Sequence, residues 1–200
     1  MKKYVITVAS AVERKAACRK HLSDVGFDEV DFVDGVDAAR WGLLTSNEYT
    51  VDNPSNPCFI PRKQVGCHLS HWLTWQIALR SGEDITSIME DDVAMAGDWK
   101  VRLSSVLTNA PDDWDMILLG HCNTLNRPTA HIRGQLFDVK YPLCTHWYLV
   151  RKKALPFLIE SQQKSWAPVD IALFFNSYPH LKVLTAIPRL AAQSTIDLAE

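Results

Sequence analysis

The sequence predicts an α/β fold in which helices flank a central, mostly parallel, mixed sheet. Segments of strand character alternate with segments of helical periodicity, which is typical of parallel β-α-β units. The 200 residues are 47% hydrophobic and 22% charged, as in an average globular domain. Neither an internal repeat nor a linker interrupts the pattern. We therefore expect residues 1–200 to form a single domain.

The elements of the first half are well marked. Residues 4–8 predict a strand, residues 13–25 a helix and residues 30–33 a second strand. Residues 36–61 lose this periodicity and contain several Asn and Pro residues, and a loop of this length is usually a lid, a binding loop or disordered. Apolar side chains then recur at helical spacing in residues 62–80, which predicts a helix facing the core.

Residues 85–93, with the sequence ITSIMEDDV, are the most informative stretch. Their β-branched side chains predict a buried strand that ends in three adjacent carboxylates, Glu90, Asp91 and Asp92. Ligands of open α/β sheets bind at the carboxyl ends of strands. Three neighbouring charges stay ionised at low cost only if they are solvated or share a cation, and Mg²⁺ or Mn²⁺ prefers oxygen ligands. The stretch favours a cation site, and an acidic turn is the simpler alternative.

The second half has weaker signals. Residues 123–134 are polar and irregular. The predicted elements are a helix at 99–107, strands at 114–119, 136–140 and 147–150, helices at 151–162 and 169–176, and a last strand at 181–186.

Charge and cysteine content exclude several classes of protein. A net charge of -2 gives no long-range attraction to nucleic acid or to an anionic membrane. The five cysteines are odd in number and lack CxxC spacing, which argues against a disulfide framework or a zinc ribbon and favours reduced, packed thiols. We expect a cytoplasmic protein, or one at the inner face of the membrane with at most peripheral association. The sequence does not indicate an oligomeric state.

Several short motifs occur in a fixed order along nearly the whole chain. Glu13-Arg14 follows the first strand, residues 66–71 read GCHLSH, and residues 88–92 read IMEDD. Further motifs are Trp114-Asp115, Leu118-Leu119-Gly120, Thr145-His146 with Tyr148, and Pro168-Val169-Asp170. Together they resemble glycosyltransferase family 25, the lipooligosaccharide-type and collagen-type galactosyl- and glucosyltransferases.

The resemblance implies a GT-A-like nucleotide-sugar-binding fold, a UDP-hexose donor, a divalent cation and inversion at the anomeric carbon. It implies transfer of galactose or glucose to a glycan or glycolipid acceptor, in lipooligosaccharide or other surface-glycan synthesis. Thr7 and Gln64 depart from the family's pattern, which more often has Asn and an acidic residue there. A non-catalytic relative that binds sugar nucleotides or glycans is therefore the alternative. A metal phosphoesterase is disfavoured because the sequence has neither a nucleophile motif nor a two-metal set of ligands.

The resemblance gives the acidic cluster specific roles. We expect Asp92 to bind Mn²⁺ or Mg²⁺ with Asp91 beside it, and Asp91 or Glu90 to contact the ribose or a metal-bound water. Arg14 is expected at the diphosphate or the ribose, because a guanidinium suits oxyanion contacts. Its alternative is a solvated surface arginine. Gln193 is expected to complete the metal or diphosphate site.

The GCHLSH helix is expected to face the donor site. Ser70 and His71 should pack toward the donor, whereas Cys67 and Trp75 should fill the core. A structural zinc ion is not expected, because Cys67 and His71 supply two ligands and such sites require four.

An inverting transfer requires one general base near the acceptor hydroxyl. Asp170, at the start of the predicted short helix, is the first candidate for this base. Its alternative is a helix N-cap. His146 is a weaker catalytic candidate, expected to contact the acceptor.

Overall fold

The helices and strands predicted in the first half of the chain are present in the structure. The structure is a computed structural model that describes residues 1–38, 61–122, 128–139, 143–164 and 167–193. Residues 39–60, the greater part of the predicted lid or binding loop, lie outside these ranges. The described strands are β1 (Lys2–Thr7), β2 (Asp31–Asp34), β3 (Ile85–Glu90), β4 (Val93–Met95), β5 (Met116–Gly120), β6 (Pro128–Arg133), β7 (Leu136–Val139), β8 (Trp147–Arg151), β9 (Val183–Ala186) and β10 (Ala191–Gln193). The described α-helices are α1 (Val12–Asp24), α2 (Arg62–Ser81), α3 (Trp99–Asn109), α4 (Leu155–Ser161) and α5 (Val169–Asn176).

One mixed sheet joins the described strands. Its path is β2-β1-β3-β8-β5-β9-β7-β6, and β10 pairs with both β4 and β5. Strand β1 is parallel to β2 and to β3, with Ile6 opposite Glu90. The carboxyl ends of these three strands therefore lie at one edge of the sheet, which is where the site was predicted.

The mixed sheet is confirmed, with a larger antiparallel share than the sequence indicated. Strand β8 is antiparallel to both β3 and β5, and β7 is antiparallel to β6 and β9. Strands β4, β6 and β10 were not predicted. All six residues of β6 are exposed, so it lacks the apolar alternation that marks a strand. Strands β4 and β10 have three residues each, too few to show a period.

Both faces of the sheet are covered. Adjacent residues of β8 point to opposite faces, so Trp147 joins the cluster beneath α1 and α3 whereas Tyr148 joins the cluster beneath α2, α4 and α5. Both side chains are fully buried. Within the described ranges, no helix is long and apolar enough to cross a membrane.

The prediction that the cysteines are reduced is wrong for Cys122 and Cys144, which form a disulfide. Cys122 follows β5 and Cys144 precedes β8, and the antiparallel pairing of these strands brings the two Cα atoms to 5.8 Å. The two cysteines are 22 residues apart and belong to no local sequence motif. Only the register of the sheet brings them together, so the local sequence could not predict this disulfide. Cys18 and Cys67 are free thiols, as predicted. Cys58 lies outside the described residues.

We expect Cys122→Ser to lower the free energy of unfolding by about 3 kcal/mol, the scale of a cross-link that closes a loop of this length. Urea unfolding with and without reductant measures the effect. Reduced wild-type protein should match the variant, and reductant should leave the variant unchanged. A wild-type curve that does not respond to reductant would contradict the disulfide.

Candidate active site

The three predicted carboxylates lie together at the carboxyl edge of β3. Glu90 is the last residue of β3, and Asp91 and Asp92 form the turn into β4. Strand β4 pairs with β10, which places Gln193 opposite Val93. Gln193 thus lies beside the acidic cluster, with its amide 3.4 Å from Oδ2 of Asp92, and its role at a metal or diphosphate site stays a prediction.

Asp91 is held by two donors from the N-terminal part of the chain. Its Oδ2 accepts a hydrogen bond of 2.7 Å from the Thr7 hydroxyl and one of 2.9 Å from Nε of Arg14. The Asp91 side chain is 7% exposed, whereas that of Arg14 is 54% exposed. The ion pair involves Nε of Arg14 and not its two Nη groups. Asp91 therefore orients Arg14 at the rim of the site, and Thr7 is an anchor that the sequence did not reveal.

Asp92 is the least satisfied of the three carboxylates. Its Oδ1 is buried and has no hydrogen-bond partner among the described residues, and its Oδ2 has a long contact of 3.4 Å with the Gln193 amide. Burial, and then the charges of Glu90 and Asp91, raise the pKa of Asp92 to about 6. A cation would satisfy the buried oxygen and relieve the repulsion, so Asp92 fits the predicted metal ligand.

Glu90 contacts helix α2 and the segment before β8. Its Oε1 accepts a hydrogen bond of 2.7 Å from Thr145 and a longer one of 3.4 Å from His71. Burial raises the pKa of Glu90, but the hydrogen bond and charge of His71 and the bond from Thr145 outweigh it, and the pKa is lowered overall. Glu90 is therefore ionised at neutral pH.

The structure supplies a third potential zinc ligand that the sequence did not show. Cys67, His71 and Glu90 offer ligand atoms within 4.8 Å of one another. The two nitrogens of His71, however, already contact Tyr148 and Glu90. Burial and the neighbouring carboxylates raise the pKa of the Cys67 thiol well above its usual value. Three ligands are fewer than the four that a structural zinc site requires, so the absence of structural zinc stays a prediction.

Ser70 and His146 do not present their side chains to the site. The Ser70 hydroxyl donates to the Gly66 carbonyl and accepts from the Val36 amide, and the residue is 2% exposed. Ser70 therefore shapes the backbone beside the site. His146 is equally buried, and its Nε2 donates to the Ala191 carbonyl. This placement does not support a contact between His146 and the acceptor.

Asp170 is the second residue of α5, after the N-cap residue Pro168. Its carboxylate accepts hydrogen bonds from the backbone amides of Ile171, at 2.9 Å, and of Cys144, at 3.1 Å. Asp170 is thus not the N-cap that we considered as the alternative. It is part-buried and lines a cavity that Glu90 also lines.

This cavity has a volume of about 240 Å³. Pockets for drug-sized ligands usually span about 300–1,000 Å³, so this one matches a single sugar ring better than a whole nucleotide sugar. Its lining residues are Gln64, Cys67, Glu90, Cys144, Thr145, Pro168, Val169, Asp170 and Gln193. The cavity is therefore lined by one carboxylate of the acidic cluster, Glu90, and by the separate carboxylate of Asp170.

Comparisons with known proteins identify the family of this chain. The family model described as Glycosyltransferase family 25 (LPS biosynthesis protein) matches residues 1–173. A glycosyltransferase 25 family member of Anopheles gambiae is 24% identical over 189 residues, which cover 88% of this chain and 32% of that protein. The inactive glycosyltransferase 25 family member 3 of Homo sapiens is 25% identical over 195 residues, covering 88% and 32% of the two chains. Procollagen galactosyltransferase 2 of Homo sapiens is 31% identical over 129 residues, covering 60% and 21%.

The chain spans about a third or less of the length of these relatives. Its fold matches the crystal structure of a glycosyltransferase involved in the glycosylation of the major capsid of PBCV-1, with a TM-score of 0.56 and 10% identity. The match covers 98% of this chain and 96% of the other, which confirms the predicted α/β fold. Because the family model covers residues 1–173, including β3 with its carboxylates and Asp170 of α5, the chain belongs to glycosyltransferase family 25.

Proposed function

We propose that this protein is a metal-dependent, inverting glycosyltransferase that moves galactose or glucose from a UDP-sugar to a glycan acceptor. The observation that carries the proposal is Asp92, whose buried Oδ1 has no partner among the described residues and whose pKa is raised to about 6. Such a group favours a bound cation. Its position after β3 is where an α/β sheet binds a ligand.

The chain's own residues then divide the reaction between two sides of the cavity. Asp92 and Gln193 would hold Mn²⁺ or Mg²⁺, which would stabilise the negative charge that develops on the leaving UDP. Arg14, oriented by Asp91, would bind oxygens of the diphosphate or the ribose. Asp170 would accept the proton of the acceptor hydroxyl. The oxygen of that hydroxyl would bond to the anomeric carbon while the bond between the sugar and UDP breaks.

A non-catalytic sugar-nucleotide or glycan-binding protein is the second candidate. One observation favours it, because the related family member 3 of Homo sapiens is described as inactive. The departures at Thr7 and Gln64 are also compatible with it. Lost turnover would leave the nucleotide-sugar site in place, so binding and transfer must be measured separately.

We expect UDP-galactose or UDP-glucose to raise the melting temperature in the presence of Mn²⁺ and not in EDTA, since a ligand of the native state stabilises it by mass action. The same protein should transfer the sugar to a member of a panel of glycan acceptors. Other nucleoside diphosphate sugars serve as controls. Binding without transfer would favour the non-catalytic candidate, whereas metal-independent stabilisation would contradict the assignment of Asp92.

A further inference from the structure

A series of buried hydrogen bonds leads from Trp75 to Glu90. The indole Nε1 of Trp75 lies 2.8 Å from the Tyr148 hydroxyl, which lies 2.9 Å from Nδ1 of His71. Nε2 of His71 faces Oε1 of Glu90 at 3.4 Å. Trp75, Tyr148 and His71 are all fully buried, so these contacts are shielded from solvent.

The chemistry of the groups determines which atom of His71 presents a hydrogen to Glu90. An indole N–H can only donate, so Tyr148 accepts from Trp75 and has its own hydrogen left for His71. Burial raises the pKa of Tyr148 well above its usual value, so the phenol keeps this hydrogen. If Nδ1 of His71 accepts this hydrogen, the ring carries its own hydrogen on Nε2, and a charged ring carries one there as well. In either state Nε2 directs a hydrogen at Glu90. The series of hydrogen bonds therefore orients Nε2–H of His71 toward Oε1 of Glu90.

The second oxygen of Glu90 is left for another donor. His71 and Thr145 both contact Oε1, and neither contacts Oε2. The Glu90 side chain is 20% exposed and lines the cavity. A carboxylate can accept about four hydrogen bonds, so this group retains accepting capacity on the cavity side.

The position of Glu90 decides which donor it meets. The cavity also contains Gln193, which contacts Asp92, and Asp170. If UDP leaves from the Asp92 side and the acceptor attacks beside Asp170, the transferred sugar must lie between them. Its ring carries several hydroxyl groups, which are hydrogen-bond donors.

We propose that Glu90 is a specificity-determining residue that accepts a hydrogen bond from a hydroxyl group of the transferred sugar, and that His71 and Tyr148 are positioning residues for its carboxylate. This inference rests on the proposed function. It assigns Glu90 to the sugar, where the sequence had suggested the ribose or a metal-bound water.

The test compares UDP with UDP-galactose and UDP-glucose, all with Mn²⁺. In Glu90→Gln we expect KM for the preferred UDP-sugar to rise by about tenfold to a hundredfold, because a hydrogen bond to a charged group is lost. UDP affinity measured by calorimetry should stay within about twofold, since UDP lacks the sugar. A monodeoxy UDP-sugar without the recognised hydroxyl should bind wild type as weakly as the complete donor binds Glu90→Gln.

Tyr148→Phe tests the positioning role, with Ser87→Ala as a matched control. Tyr148→Phe removes the partner of both Trp75 and His71, and should raise KM for the UDP-sugar by about threefold to tenfold at unchanged UDP affinity. Ser87→Ala leaves the buried Nε1 of Trp147 without its partner at 2.9 Å, on the opposite face of the sheet. It should lower the melting temperature comparably without changing KM.

The outcomes separate this inference from the proposed function. If wild type binds UDP-sugars but Glu90→Gln and Tyr148→Phe both behave like Ser87→Ala, the inference is overturned and the proposed function stands. If wild type binds no UDP-sugar, both are overturned. Purified wild type that retains one equivalent of zinc, lost in Glu90→Gln, would also overturn the inference, because Nε2 of His71 would then be a metal ligand.

Discussion

Replacing Asp170 by Asn is expected to reduce kcat for sugar transfer by about 10²-fold or more, while UDP-sugar affinity stays within about twofold. The carboxylate lies at the start of α5 and lines the cavity together with Glu90 and Gln193, which is where the proposed acceptor hydroxyl would lose its proton. Asn keeps one oxygen to accept a backbone N–H from Ile171 or Cys144 but places its NH2 group at the other amide, so the melting temperature is measured beside kcat. Steady-state kinetics and calorimetry on the same preparation test this expectation.

Asp98→Asn is the matched control for this experiment. Asp98 is the N-cap residue of α3 and pairs with Arg102 at 3.4 Å, away from the cavity. Asp98→Asn measures the effect of losing a carboxylate at the start of a helix, where acidic groups interact favourably with the helix dipole, without changing a residue of the cavity. Asp98→Asn should leave kcat unchanged. Near-normal turnover in Asp170→Asn with a lowered melting temperature would argue against a catalytic base, and joint loss of donor binding and turnover would place Asp170 beside the metal.

Local sequence patterns were sufficient to predict β3 and α2, but not β4 and β10, which place Gln193 beside the acidic cluster. The buried run before Glu90 and the helical period of α2 are strong signals, and both elements were found nearly where they were expected. Their contacts depend on long-range register. Arg14 and Asp91 are 77 positions apart, and Gln193 and Asp92 are 101 apart. Spacing alone could not bring these pairs together, and the family resemblance supplied their grouping.

The different placements of Thr145 and His146 have a simple geometric origin. Neighbouring residues of an extended segment point in opposite directions, so one of the two faces Glu90 and the other faces the core. The sequence analysis expected His146 to contact the acceptor. The structure instead directs Thr145 to Glu90 and packs His146 against Gly120, where a Cβ atom would lie 2.2 Å from the ring. Gly120 was the one feature of the sequence that could have indicated this packing, because only a residue without a Cβ atom lets the ring approach so closely.

Asp92→Asn is expected to weaken Mn²⁺-dependent UDP binding by at least tenfold, because it removes a charged ligand from the proposed cation site. The fold should remain intact, since the contact of Asp92 with Gln193 is long, at 3.4 Å. Asp115→Asn is the control, because Asp115 is part-buried but is paired with Lys153 at 2.9 Å. It should leave UDP binding unchanged. Equal UDP affinities with and without Mn²⁺ in wild type and in Asp92→Asn would refute the metal assignment.

The same substitution should stabilise the metal-free protein at pH 7.5. The pKa of Asp92 is raised from 3.8 to about 6, so its ionisation penalises the folded state more than the unfolded one. This penalty is absent below about pH 4, grows as the pH rises to about 6, and is complete above it. At about 1.4 kcal/mol per pKa unit, reduced for partial exposure, Asp92→Asn should gain roughly 1–2 kcal/mol. Urea unfolding in EDTA should show this gain at pH 7.5 and little difference near pH 4, whereas Asp115→Asn should destabilise at pH 7.5. An Asp92→Asn protein that is less stable than wild type at pH 7.5 would mean that Asp92 stabilises the fold without a cation.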